Sequence, residues 1–231
     1  MNIAAKPAVI LFDLNETLLD MTPVKKKVNS ILNSKRGFRI WFGLLLQYSM
    51  VDNSTGHYHD FSQIGEATLD MAAAALKTSV KEDDKSEVLE LMNTLPLHPD
   101  VEEGLQQLSD AGFRLATLTN SSQHTQTSQM HTAKLGSYFE KVLSVEAVQK
   151  YKPAPEAYRF AVQQLGVEPR DVMMVAAHGW DIAGATAAGM QTAFIRRMAQ
   201  SLYSLSPFPT LEADGISSLA MQLQTSQSVS V

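Results

Sequence analysis

Asp13 follows the apolar run AVILF and opens the stretch DLNETLLD, so a carboxylate is presented where a buried strand gives way to a loop. Other polar groups stand at matching places further along. Thr119 and Asn120 close the apolar-rich stretch FRLATLTNSS. Lys152 precedes a helix whose start is marked by Pro155 and whose end is marked by Gly166. His178 and Asp181 follow the run VMMVAA, ahead of a helix expected to reach Gly189. Asp13, Thr119, Lys152 and Asp181 thus fall in chain order at the edge of one sheet. A carboxylate so placed can act as a covalent nucleophile, and an ammonium such as Lys152 beside it would keep it ionised. The same pair also reads as a salt bridge tying two strand ends together, Asp181 as a helix N-cap, and Asn120 as a turn residue.

A parallel sheet is what would hold these positions. Ala8 to Phe12 has no polar alternation and is bounded by Pro7 and Asp13, as in a strand buried on both faces. In open α/β sheets the C-terminal strand ends border the ligand crevice. Between Asp20 and about Leu95 this pattern gives way to helical ones: a start at Thr22-Pro23, a strongly apolar stretch from Phe38 to Met50, and an Ala-, Leu- and Met-rich stretch from Phe61 to Leu76. The charged segment KEDDKSE, Lys81 to Glu87, reads as a solvated surface. Asp100 and Glu103 form a capping-box pattern for a helix that stops near Gly112. The expected fold is a doubly wound, Rossmann-like α/β core of residues 1–19 and 96–231, with a helical cap inserted at 20–95. The polar end from Thr225 to Val231 is expected to fray.

With 231 residues and 45% hydrophobic content, the chain can bury a sizeable core. A net charge of -5 and a pI near 5.7 argue against a nucleic-acid surface. The absence of cysteine excludes disulfides and thiolate metal sites and is compatible with a cytoplasmic location. The apolar stretch Ile40 to Leu46 is far shorter than the roughly 20 residues that span a bilayer. Neither a membrane partner nor a signal peptide is expected, because the short apolar run after Lys6 leads straight into Asp13. His57, His59, His124 and His131 form no metal signature.

The order and surroundings of Asp13, Thr119, Lys152 and Asp181 resemble the haloacid dehalogenase superfamily, from Val9 to Arg197. Within it, TLTNSS, KPAPEAY and AAHGWDIAGA are most similar to the 2-haloacid dehalogenases. The resemblance implies that Asp13 displaces a halide from a small organic acid and becomes esterified. Asp181, with Lys152, then positions or activates the water that opens the ester. It further implies that Arg39, in GFRIWF, and Asn120 bind the halide, that Thr119 and the amides of Leu14 and Asn15 bind the substrate carboxylate, and that Thr17 supports Asp13. Tyr158 also matches the family pattern. Related dehalogenases are commonly dimers, which makes Trp41 to Leu46 a candidate homodimer face, while Phe38, Trp41, Phe42 and Tyr48 offer an apolar wall to the substrate. Arg39 equally reads as a surface cation of KRGFR, and Tyr158 and the apolar stripe as packing.

Departures from the family patterns sharpen the reading. Phosphatases of the superfamily carry a second Asp two residues after the nucleophile to protonate the leaving alkoxide; here Asn15 stands there. Halides are weak bases and need no such proton. The superfamily's metal-binding segment would place another Asp four or five residues before Asp181, where Ala177 and Ala176 stand, so a tight Mg²⁺ site is lost. A weaker one of Asp13, a backbone carbonyl and Asp181 stays open, and a metal cofactor is expected only if the chain is a phosphatase or other phosphoryl-transfer enzyme. A ligand-binding relative without turnover is the third reading. Dehalogenases themselves usually carry Tyr-Gly at Asn15-Glu16, and Ser and Asn at Ala176 and His178. His178 reads either as a base for the hydrolytic water or as a hydrogen-bonding support.

Overall fold

The computed structural model describes residues 6–228. Its core is a six-stranded, wholly parallel sheet in the order β3-β2-β1-β4-β5-β6. The strands are β1 (Val9–Phe12), β2 (Arg114–Thr119), β3 (Lys141–Ser144), β4 (Val172–Ala176), β5 (Gln191–Ile195) and β6 (Leu211–Ala213). All residues of β1 and β4 are buried, which explains why their sequences lack alternation. After β1 the chain builds outward through β2 and β3, then returns to lay β4 against the other side of β1. This reversal makes the C-terminal ends of β1 and β4 the switch point of the sheet, where a crevice opens. Register carries Phe12 alongside Thr117 on one side and Val175 on the other, so the segments after these strands emerge together.

Helices α5 (Val101–Asp110) and α9 (Ile216–Ser228) pack on one another, as do α7 (Pro155–Leu165) and α8 (Gly179–Ala187), while α6 (Gln123–Thr132) packs on β3. Between β1 and α5 the chain inserts α1 (Thr22–Ile31), α2 (Gly37–Thr55), α3 (Phe61–Ala75) and α4 (Glu82–Asn93). This is the expected helical cap. Its α2 turns Phe38, Trp41, Phe42 and Leu45 inward, and the Trp41 indole donates to Gly65 O of α3. α3 opens on a capping box of Asp60 and Gln63.

Three local expectations are corrected. KEDDKSE forms the start of α4 and is only partly solvated: Lys85 is buried and binds Asp70 and Glu82, while Asp84 and Glu87 receive Lys27 from α1. Asp100 stands at the N-cap of α5 without capping it; its carboxylate accepts the Arg197 guanidinium and the Ile216 N–H instead. Thr225 lies in α9, which continues to Ser228, and residues 229–231 fall outside the described part. No helix among the described residues is long and apolar enough to cross a membrane.

Gly104 shows how close α5 and α9 come. A Cβ there would lie 2.5 Å from Ser217 N and 2.6 Å from Ile216 C, both backbone atoms. Gly104→Ala is therefore expected to destabilise the protein by about 1–3 kcal/mol, the usual cost of overpacking. A urea midpoint equal to that of the wild type would contradict this packing.

Candidate active site

The loop after β1 presents Asp13, 5% exposed, at the switch point. Its Oδ1 accepts Lys152 Nζ at 2.9 Å, and its Oδ2 accepts Thr17 Oγ1 at 2.7 Å and faces His178 Nδ1 at 3.3 Å. Thr17 is itself fixed, because its Oγ1 accepts the Ala177 N–H from the end of β4. Lys152 is fully buried and spends its other two donors on Asp181 Oδ2 at 2.6 Å and Leu118 O at 2.9 Å. Its backbone is clamped by Asn120, whose Oδ1 accepts Lys152 N and whose Nδ2 donates to Lys152 O. Tyr158 OH donates to the second oxygen of Asp181 at 2.6 Å. Two carboxylates thus share one ammonium, and every remaining oxygen has a donor.

The charges follow from this arrangement. Burial alone would raise the Asp13 carboxyl, but Lys152 and then His178 outweigh it and hold Asp13 well below the usual carboxylate range. Burial raises Asp181, against the pull of Lys152 and with the push of Asp13. The two carboxylates of the site are pushed apart, as suits two different roles. Burial would lower Lys152, yet Asp13 and Asp181 outweigh it and raise it. For His178 burial works downward, and the bonds to Asp13 and Glu16 reverse it, pushing the imidazole up to about 9.

Most of the expected site converges here. Asp13, Thr17, Lys152, His178 and Asp181 form one hydrogen-bonded cluster, and Asn120 adjoins it. Thr119 is buried and its hydroxyl accepts the Ser121 N–H. Among the described residues, no acceptor engages the N–H of Leu14 or of Asn15. Other assignments change. Arg39 is exposed on α2, outside the buried face of Phe38, Trp41, Phe42 and Leu45, and makes no hydrogen bond to the cluster among the described residues. Phe42 is the cap residue that reaches the site, its ring 6.1 Å from that of His178. Tyr158 is fully buried behind Asp181, a support for that carboxylate and not a substrate contact. The Asn15 side chain is tied to Ser121 and Gln129. Tyr48 lines a separate cavity of about 320 Å³ between α2 and α3, so it leaves the apolar wall. With Asp13 ionised, His178 is pushed up to about 9 and is a cation near neutral pH, its two ring nitrogens facing Asp13 and Glu16.

Several site residues escaped the sequence. Glu16 Oε2 accepts His178 Nε2 at 2.9 Å and Gln200 Nε2 at 2.6 Å. Arg197 donates to Thr17 O and to Asp100, bracing the loop that carries the nucleophile. Trp180 stacks on His178 at 5.1 Å and lies 5.8 Å from Lys152 Nζ; its buried indole N–H has no partner among the described residues. Only Glu16 carried a signal, as an oddity in the first motif. Mg²⁺ does not suit this donor set: Lys152 bridges Asp13 and Asp181, Tyr158 takes the other Asp181 oxygen, and Ala176 and Ala177 offer no carboxylate.

Comparison with known proteins agrees with the geometry. Residues 7–189 match the family model of the haloacid dehalogenase-like hydrolases. The chain is 32% identical over 200 residues to (S)-2-haloacid dehalogenase 1 of Pseudomonas sp. strain CBS-3, covering 85% of this chain and 88% of that protein. It is 29% identical over 189 residues to (S)-2-haloacid dehalogenase 4A of Burkholderia cepacia, with coverages of 81% and 82%. A crystal structure of an L-2-haloacid dehalogenase superposes with a TM-score of 0.89 at 26% identity, covering 95% of this chain and 100% of that one.

The His178 proton makes stability depend on pH. The folded protein holds it up to about 9 against an ordinary histidine value of 6.5, so this contribution is complete below about pH 6.5 and is lost as pH rises through 9. The unfolding free energy of the wild type, from denaturant titration, should therefore fall between pH 6.5 and 9.5 relative to that of His178→Gln, by a few kcal/mol at most. Parallel curves for the two proteins would show that the histidine is not held as a cation.

Proposed function

The chain belongs to the haloacid dehalogenase-like hydrolases, within them to the L-2-haloacid dehalogenase family, and from that membership we propose that it hydrolyses the carbon–halogen bond of small 2-haloacids through an ester on Asp13. The observation that carries this reading is a buried carboxylate kept ionised by Lys152, with no acid at position 15 and alanines at 176 and 177.

Each carboxylate oxygen offers about two lone-pair sites. Asp13 Oδ2 fills both with Thr17 and His178, whereas Oδ1 accepts only Lys152 and keeps one free. Oδ1 is thus the attacking oxygen. It bonds to the halogen-bearing carbon from behind, the carbon–halogen bond breaks, and the halide leaves with the electron pair, inverting the centre. Water then attacks the Asp13 carbonyl carbon and passes a proton to Asp181, the carboxylate whose affinity burial raises. The hydroxy acid departs and Asp13 is restored; overall, haloacid and water give hydroxy acid, halide and a proton. The free N–H groups of Leu14 and Asn15, with the Thr119 hydroxyl, are suited to the substrate carboxylate. With Arg39 outside, the halide is left to the second Asn120 amide hydrogen and the unpartnered Trp180 N–H.

The same reading takes residues 1–19 and 96–231 as the catalytic core and 20–95 as the cap, in a cytoplasmic homodimer. Trp41, Phe42 and Leu45 are buried within the chain, so the outer face of α2, with Leu46, Met50 and the exposed Val51, is the better dimer candidate than Trp41 to Leu46.

The deciding experiment is metal-free chloride release from each enantiomer of 2-chloropropionate, with p-nitrophenyl phosphate and Mg²⁺ run beside it. Chloride is expected from the (S) enantiomer with (R)-lactate as product, none from Asp13→Ala, and a rate within about twofold of wild type from Arg39→Ala, as for a surface change. Asp13-dependent phosphate release without chloride would move the assignment to a phosphatase.

A further inference from the structure

Two departures from the dehalogenase pattern, Glu16 and His178, turn out to be partners. His178 Nε2 lies 2.9 Å from Glu16 Oε2 and Nδ1 lies 3.3 Å from Asp13 Oδ2. Both ring nitrogens therefore face carboxylate oxygens, which only accept, so hydrogen bonds on both sides require a proton on each nitrogen. Gln200, from the loop before β6, donates to the same Glu16 oxygen at 2.6 Å and fixes it.

The backbone supports the same view. Glu16 sits at φ 62°, a left-handed conformation that glycine adopts freely and that costs other residues on the order of 1 kcal/mol. A side chain is kept there although glycine would fit more easily. The strained turn is held by Glu16 N to Leu19 O at 2.8 Å and by His98 Nε2 near Glu16 O at 3.2 Å. The carboxylate lines a cleft of about 340 Å³ with Asp20, Lys25, Phe38, His98 and Arg197, and remains 17% exposed.

We propose that Glu16 is a positioning residue that, with Gln200, keeps His178 doubly protonated and aimed at Asp13, so that a histidine cation from the core supplies positive charge at the nucleophile, which no cap residue contacts with a cation among the described residues. This inference rests on the dehalogenase reading. The charged groups facing His178 are Asp13 and Glu16 from the β1 loop; its own helix contributes the Trp180 ring and the cap Phe42, while Lys152 bridges Asp13 to Asp181 and neutral Gln200 holds Glu16. With His178 charged, three carboxylates meet two cations. Without the proton the excess negative charge grows by one, against a substrate that is itself an anion. The loss then falls first on KM.

Glu16→Gln tests the pair, since glutamine keeps an acceptor for Nε2 and removes the charge. The readouts are the ¹⁵N NMR titration of the ring, assigned as the resonance missing in His178→Gln, and the pH profile of kcat/KM for 2-chloropropionate. In the wild type both should show a midpoint near 9; in Glu16→Gln both should move down by about one pH unit or more, with KM changed more than kcat. Glu16→Gly, which suits the left-handed turn, should move the midpoint as far and replaces the first variant if that fails to fold. An unmoved NMR midpoint overturns the proposal. If the wild type releases no chloride at any pH, the dehalogenase reading falls, and the titration still decides whether Glu16 holds the cation.

Discussion

The structure depends on one buried ammonium. Lys152 has three donors and three acceptors around it, Asp13, Asp181 and Leu118 O, in a place where water supplies none. Taking three charged groups out of water costs several kcal/mol per ion unless each is paired and its remaining valences are filled. The surrounding polar residues are those fillings. Thr17 takes the spare oxygen of Asp13, Tyr158 the spare oxygen of Asp181, and Asn120 the backbone on both sides of Lys152. Parallel topology makes this possible, because the ends of β1, β2 and β4 and the turn before α7 meet at a single switch point. Removing any one partner would leave a charge uncompensated in a medium that does not forgive it.

The same economy assigns the chemistry. An ammonium between two carboxylates holds Asp13 and Asp181 together in one buried network. Asp13, with three donors, stays ionised; Asp181, fully buried and beside another negative charge, binds a proton more readily. Environment alone separates two identical side chains into the two roles that an ester mechanism needs.

What could be read from the sequence was whatever lay at a strand end. Asp13, Thr119, Lys152, His178 and Asp181 each follow an apolar run or precede a marked helix start, and the switch point gathers such places. Arg39 failed for a different reason. Positions on a helix are separated by about 100° per residue, so once Trp41 and Leu45 face the core together with Phe38 and Phe42, Arg39 falls beyond the edge of that face and is exposed. Nothing in GFRIWF fixes that phase; the packing of α2 on α3 does. Glu16 was visible as an anomaly, but its partners His178 and Gln200 lie 162 and 184 positions away. The capping pattern at Asp100 and Glu103 was locally sound and lost to a tertiary competitor, since the Arg197 guanidinium offers two bonds from a charged donor where capping offers a neutral N–H.

Cap and core divide the electrostatics unevenly. Towards the site the cap sends Phe42, with Phe38 stacked behind it at 5.5 Å, and no charged side chain in hydrogen-bonding contact with Asp13, Asp181 or His178 among the described residues. An apolar lid lowers the local dielectric and strengthens every charge interaction beneath it. It also requires those charges to be balanced from below, because a guanidinium above the nucleophile is no longer available to offset Asp13 and the incoming acid. Glu16 and His178 meet that requirement as a unit: burial alone would lower the histidine, Asp13 and Glu16 together raise it, and a glutamate without the histidine would worsen the negative excess. Glu16 and His178 thus belong together, beneath a cap that meets them with an aromatic ring.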